Sequence, residues 1–407
     1  MIAALFGLGA LIGGGDQEEE PAGPEPIAVE RVAERVERIR GLEFERLPPV
    51  RRVTGEEARE EGLAALDRDY PPAERAADER LLTLLGLLPR GSDLRELAGS
   101  IFGEEVAGYY DDRTGRMTVV ENAVGGGDES ELTLAHELVH ALEDQHFGLE
   151  GEEGGLDDEL SARVALFEGT ATVAMLDYAV RFIAPRGVRR SDLLGSFDLV
   201  DLIGGGTDLP PYLERSLVFP YSAGARFVDA IGTWGPANRA LRSRPPVSTE
   251  QVMHPEKYRA GERPLPVPLP RPPGRGWKRQ ASGTVGEFDT AELIRTSDSP
   301  LRAERAAAGW GGGRYVLWSR AGTHALAISW RWDTLRDAAE FASALPRYVT
   351  ETLDGRPVGP GRWRTGDGGF AAVSPGAVVR VAIGPTRRVA AALVERSAPS
   401  RSSAATR

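Results

Sequence analysis

The chain has 407 residues, no cysteine, 41% hydrophobic and 27% charged residues, and a formal net charge of −12. That length suits two folded domains, and that balance excludes a wholly disordered chain. The acidic character, with Glu18-Glu19-Glu20 and a cluster over 152–159, excludes a nucleic-acid backbone as a natural partner.

In chain order, residues 1–13 are apolar and resemble the hydrophobic stretch of an export signal, although no Lys or Arg precedes them. The run is shorter than the roughly 20 residues of a membrane-spanning helix. It points to an extracytoplasmic, secreted or membrane-associated protein, held at the membrane through its N-terminus; a docked N-terminal helix on a cytoplasmic protein is the alternative. Gly, Glu and Pro over 14–25 read as a tether, so residues 1–25 form a segment apart and folding is expected from Pro26.

From there to about Ile101 the pattern is helical. Val29, Val32, Val36 and Ile39 recur at three or four, Thr54 with Glu57 makes a capping box, and Pro71-Pro72 opens another helix. Residues 106–110 and 116–120 are β-prone runs around Asp111-Asp112-Arg113-Thr114-Gly115, a hairpin turn. Residues 129–147 read as one helix with Leu132, Leu138, Val139 and Leu142 on its apolar side. After a Gly/Glu-rich loop at 148–156, a helix capped by Asp157 or Asp158 runs to about Ile183 and is apolar nearly all round, hence buried.

Six prolines between Pro264 and Pro273 make 264–276 an extended connector between a first domain, 26–263, and a second, 277–397, with 398–407 as a disordered tail. In the second domain, strands at 314–318 and 325–332, a helix at 335–352, and strands at 369–373 and 377–383 suggest a small α+β sandwich, one helix covering one face of an antiparallel sheet. Trp310, Trp318, Trp330 and Trp332 fall there as core anchors.

The chemistry sits in His136-Glu137-Leu138-Val139-His140. Residues four apart share a helix face, so His136 and His140 offer two imidazole nitrogens to one cation, and Glu137 projects beside it to take a proton from a water held there. Without cysteine, the remaining ligand must be His, Asp or Glu. A catalytic zinc site keeps three protein ligands and one open position. Two third ligands are available. His146 has the metzincin spacing, but position 143 is Glu where that pattern needs a glycine to turn the chain. Glu168, in Glu168-Gly169-Thr170-Ala171, lies on the apolar helix, where an acid is costly unless paired or metal-bound; Gly169 beside it would let this helix approach the first closely. Asp144 is placed to orient a ligand histidine.

His-Glu-x-x-His followed by Glu-Gly-x-Ala resembles the gluzincin metallopeptidases, the thermolysin-like branch, over a small part of the chain. The resemblance implies one zinc ion per chain on His136, His140 and Glu168, with Glu137 as general base and proton shuttle, in a mainly helical zincin-like domain with a small sheet and a two-helix zinc site. It also implies that the 106–120 hairpin, with Tyr109 and Tyr110, binds substrate backbone by strand addition. An oxyanion-stabilising His or Tyr would come from beyond the third ligand, where His254, Tyr258 and Tyr221 are available. Residues 109–121, His146-Phe147 and the stretch 245–258 further resemble an uncharacterised family of bacterial predicted metallopeptidases. The expected protein is thus an α+β zinc peptidase acting on a peptide or protein. A non-catalytic, metal-stabilised envelope scaffold is the rival, and Glu137 speaks against it because a scaffold needs no acid at the open metal position.

Overall fold

The computed structural model describes residues 9–12, 29–104, 106–120, 127–148, 157–196 and 209–395. The tether at 14–25, the loop at 149–156, the tail at 398–407 and most of the apolar N-terminal stretch lie outside them. The chain divides into two units, one formed by the chain up to Arg75 with Gly91–Glu262, the other by Ala76–Arg90 with the chain from Arg263. Both mix helices with sheet, so the fold class is α+β. Among the described residues no helix is long and apolar enough to cross a membrane.

The first unit holds β1 (Gly9–Ile12), α1 (Val29–Arg40), β2 (Val50–Val53), α2 (Gly55–Asp69), the start of α3 (Pro72–Leu84), α4 (Leu94–Glu104), β3 (Val106–Asp111) and β4 (Arg116–Val120). Then come α5 (Asp128–Phe147), α6 (Asp157–Tyr178) with a π-helical turn at Ala179–Ile183, α7 (Arg190–Ser196), α8 (Pro211–Ile231), α9 (Trp234–Ser243), α10 (Thr249–Met253) and α11 (Pro255–Ala260). Thr54 caps α2 through the expected box: its hydroxyl accepts from Glu57 N, and Glu57 accepts from Thr54 N. The expected hairpin is β3–β4, with Asp111 accepting from Arg113 N and the Thr114 hydroxyl inside the turn. It forms the middle of a sheet ordered β1-β3-β4-β2, in which β2 runs parallel to β4 and the other pairs are antiparallel. Residues 9–12 are therefore strand, not the docked helix that the sequence offered as the alternative.

The apolar stripe of α1, Val32, Val36 and Ile39, packs on Leu134, Leu138, Val139 and Leu142 of α5 and on Ala171, Ala174 and Tyr178 of α6. This cluster seats α5 and α6 side by side. Helix α6 is also crossed by α8 at a pair of glycines. A Cβ on Gly169 would lie 2.4 Å from Gly224 backbone atoms, and one on Gly224 would lie 1.9 Å from Ala165 O. Gly169 thus permits a close approach, but of α8 to α6 rather than of α6 to α5.

The second unit carries β5 (Lys278–Thr284), α12 (Glu287–Arg295), α13 (Pro300–Ala307), β6 (Trp310–Arg320), β7 (Thr323–Trp332), α14 (Leu335–Glu351), β8 (Arg356–Gly359), β9 (Arg362–Arg364), β10 (Phe370–Ser374), β11 (Val378–Gly384) and α15 (Arg387–Glu395). Its seven-stranded sheet, ordered β5-β6-β7-β11-β10-β9-β8, is antiparallel throughout. Trp330 donates from Nε1 to the Thr290 hydroxyl of α12 and stacks edge-on to Phe341 of α14. The opposite face, with Ala325 and Ala327, packs on Ala390, Leu393 and Val394 of α15. Helices cover both faces, not one as the sequence suggested, and all four tryptophans are buried.

The proline-rich stretch also departs from expectation. It lies along β6 and β7 instead of hanging as a connector: Leu265 N donates to Gly311 O and Arg331 to Pro266 O. Gly312 makes room, since a Cβ there would lie 2.6 Å from Leu265 O. Ala76–Arg90 joins this unit too, with the buried Tyr348 hydroxyl donating to Leu85 O.

Candidate metal centre

Helix α5 presents His136 and His140 one turn apart, and α6 brings Glu168 to them. His136 Nε2 lies 3.0 Å from His140 Nε2 and 3.1 Å from Glu168 Oε2, and His140 Nε2 lies 3.4 Å from that oxygen. Ligands about 2.0–2.1 Å from a tetrahedral zinc stand roughly 3.3 Å apart, so the three pairwise distances are those of one face of such a tetrahedron. The donor chemistry fits as well, two imidazoles and a carboxylate, all buried.

Burial is the largest influence on each group. It pushes His136 below its ordinary pKa, so this imidazole is neutral and ready to bind a cation. At His140 burial acts the same way but is outweighed by the Glu168 carboxylate, and the pKa is pushed up to about 9. Burial would raise Glu168, yet His140 and His136 hold it down to about 2. A cation entering the cluster therefore replaces the proton on His140. Among the described residues the buried His136 Nδ1 has no hydrogen-bond partner, and the ring packs against those of His140 and Tyr221 at 4.8 and 5.9 Å between centroids.

Glu137 turns to the sheet: its Oε2 accepts from Tyr110 N at 2.8 Å. Two helical turns on, Asp144 accepts from the Tyr110 hydroxyl at 2.9 Å. One residue of β3 is thereby fixed to α5 at two points. The sequence places Asp144 behind a ligand histidine; the structure gives its carboxylate to Tyr110. Tyr109 donates its hydroxyl to Glu61 at 2.9 Å, and both tyrosines line a cleft of about 270 Å³ with Glu61, Phe102 and Arg113. None of the three metal-ligand candidates lines that cleft.

Of the three candidates for oxyanion stabilisation, the structure brings Tyr221 of α8 to the cluster. Its hydroxyl hydrogen-bonds to Glu168, and burial, with the Glu168 and Glu137 charges, holds it protonated well above the ordinary phenol range. Tyr258 donates to Arg244 O at 2.8 Å and packs edge-on to Phe227, a structural role. His254 is the N-cap residue of α11, its Nδ1 3.6 Å from Glu256. The 245–258 stretch anchors the start of α6: Thr249 donates from N and hydroxyl to Asp158, which sits inside the first turn of that helix. His146 bonds Glu43 O at 2.8 Å and lies outside the cluster.

The support beneath the cluster lies outside the motif. Glu143, fully buried three residues past His140, accepts from Arg40 at 2.6 Å and from the Thr170 hydroxyl at 2.8 Å. Arg40 also donates to Asn238 and lies over the Trp234 ring at 4.2 Å. Four helices, α1, α5, α6 and α9, are joined behind the two histidines. The signal was present: Arg40 follows Val36 by four and so continues the buried stripe of α1.

Residues 274–394, within the second unit, match a family model described as a domain of unknown function (DUF8575). The match leaves the first unit and its cluster outside it. No curated protein and no solved structure matches the chain.

Proposed function

We propose that the first unit is a zinc-dependent peptidase with a zincin-like site of the gluzincin kind, holding one zinc on His136, His140 and Glu168. The observation that carries this is the tetrahedral spacing of those three donor atoms beside a buried carboxylate, Glu137, that is not itself a ligand. A zinc ion bound there supplies Lewis acidity, polarising a carbonyl and lowering the pKa of water toward about 7.

The chain's own residues do the rest. The Tyr110 N–H fixes the orientation of the Glu137 carboxylate, which accepts a proton from the attacking water and delivers it to the leaving amine. Tyr221, protonated and already donating toward the cluster, is the donor available to the developing oxyanion. Glu143 and Arg40 hold α5 against α1 and so keep the two histidines in register with Glu168.

A metal-stabilised scaffold would need His136, His140 and Glu168 but not Glu137. A peptide-library cleavage assay separates the two. Wild type should cleave, and Glu137→Gln should keep its zinc while losing about 10²–10⁴ in kcat. A zinc-loaded wild type that cleaves nothing Glu137→Gln does not would leave the scaffold.

A further inference from the structure

The metal ligands and Glu137 are buried, and the strand that holds Glu137 has its outer edge occupied by the chain's own N-terminal residues. Met117, opposite Tyr110 on β4, sends its N–H to Pro49 O on the β2 side, while Tyr110 sends its N–H to Glu137. Tyr110–Met117 is therefore a non-hydrogen-bonded pair of the β3–β4 ladder. By the alternation of antiparallel strands, Gly108, two residues back, also turns its N–H and C=O away from β4. That is the side on which β1 lies, in the register Gly9 with Tyr110, Ala10 with Tyr109 and Leu11 with Gly108. β1 lies against α5 as well as β3. A backbone in its place passes the residue whose amide holds the general base.

Resting on the peptidase reading above, in which this edge of β3 takes the substrate backbone, we propose that the chain itself closes the edge and so restricts it to polypeptides of small and apolar residues. Gly9-Ala10-Leu11-Ile12 is its built-in occupant, an inhibitory strand that keeps substrate from Glu137. The pairing is built to be displaced: it is four residues long and its register breaks between Leu11 and Ile12. A longer strand with the same chemistry makes more ladder bonds and wins the edge. Without β1 the remaining strands β3-β4-β2 end on a row of open backbone groups, the template for strand addition.

The test uses the full chain with Leu11→Pro, which removes the N–H facing Gly108, and Gly9→Pro as a second variant at the other facing pair. Two readouts are taken: amide exchange at Gly108, and binding and hydrolysis of a synthetic peptide, Gly-Leu-Gly-Ala-Leu-Ile-Gly-Gly, copying residues 7–14. If β1 covers the edge nine-tenths of the time or more, the variants should bind the peptide and cleave it about tenfold better than wild type. Gly108 should exchange faster in the variants until the peptide is added. Equal Gly108 exchange in wild type and both variants, or equal peptide affinity, overturns the proposal. If the peptidase reading alone is at fault, no form cleaves, yet the peptide still protects Gly108 in the variants.

Discussion

Replacing Arg40 with methionine is expected to destabilise the first unit severely. Arg40 and Glu143 are both buried, and their 2.6 Å bond joins α1 to α5 directly behind His140. Removing one partner of such a pair costs about 3–5 kcal/mol, because the other charge is left in a low-dielectric interior, and a domain has only about 5–15 kcal/mol in total. Burial already raises the pKa of Glu143, with Arg40 opposing. In Arg40→Met the largest influence opposing burial is gone, so the carboxyl is driven further toward its neutral form, which places the loss toward the lower end of that range. Contact with Trp234 is lost as well. The double variant Arg40→Met/Glu143→Met removes both charges and refills the space, so it should return to within about 1 kcal/mol of wild type or exceed it. Amide exchange along α5 under increasing urea reads this unit separately from the second. An Arg40→Met protein within about 1 kcal/mol of wild type would show a solvated pair instead of a buried one, since a solvated pair contributes no more than that.

Further outcomes follow from the same geometry. In metal-free protein, Glu168, held down to about 2, contributes stability above its ordinary 4.5 that is lost as pH falls toward 2; His140, pushed up to about 9, contributes stability below 6.5 that is lost as pH rises toward 9. The unfolding midpoint in chelator should be highest near pH 6.5, because His136, held below its ordinary value, makes the fold lose stability as pH falls from there. Zinc affinity should instead climb from pH 6.5 to 9 with proton release, read by calorimetry in two buffers; a pH-independent affinity contradicts the ion-paired cluster. Tyr221→Phe should keep zinc and KM while lowering kcat by about 10²–10³ in a steady-state peptide assay. Gly224→Ala puts a Cβ 1.9 Å from Ala165 O, so α8 must move off α6; a loss of about 1–3 kcal/mol by urea unfolding is expected.

What could be read from the sequence was local. His136, Glu137 and His140 are set by helical periodicity, and Glu168 stands out because an acid interrupts an apolar run. The missing glycine at 143 separates His146 from the site, and the structure gives that ring to Glu43 O. What could not be read depends on residues far apart. Arg40 continues the buried stripe of α1, but its partner, Glu143, lies 103 residues away and nothing local names it. Tyr221 and Tyr258 are equivalent as letters; the crossing at Gly169 and Gly224 carries one of their helices to the cluster. β2, Val-Arg-Arg-Val, and β5, Lys-Arg-Gln-Ala-Ser-Gly-Thr, lack the apolar alternation of a half-buried strand because both lie at sheet edges.

The most direct measurement is elemental analysis of metal bound to wild type, Glu137→Gln, Glu168→Ala and His140→Ala after dialysis against trace zinc. One zinc per chain is expected in wild type and Glu137→Gln, with loss in the two ligand variants. A folded wild type that retains no zinc, or ligand variants that retain as much as wild type, would contradict the metal centre.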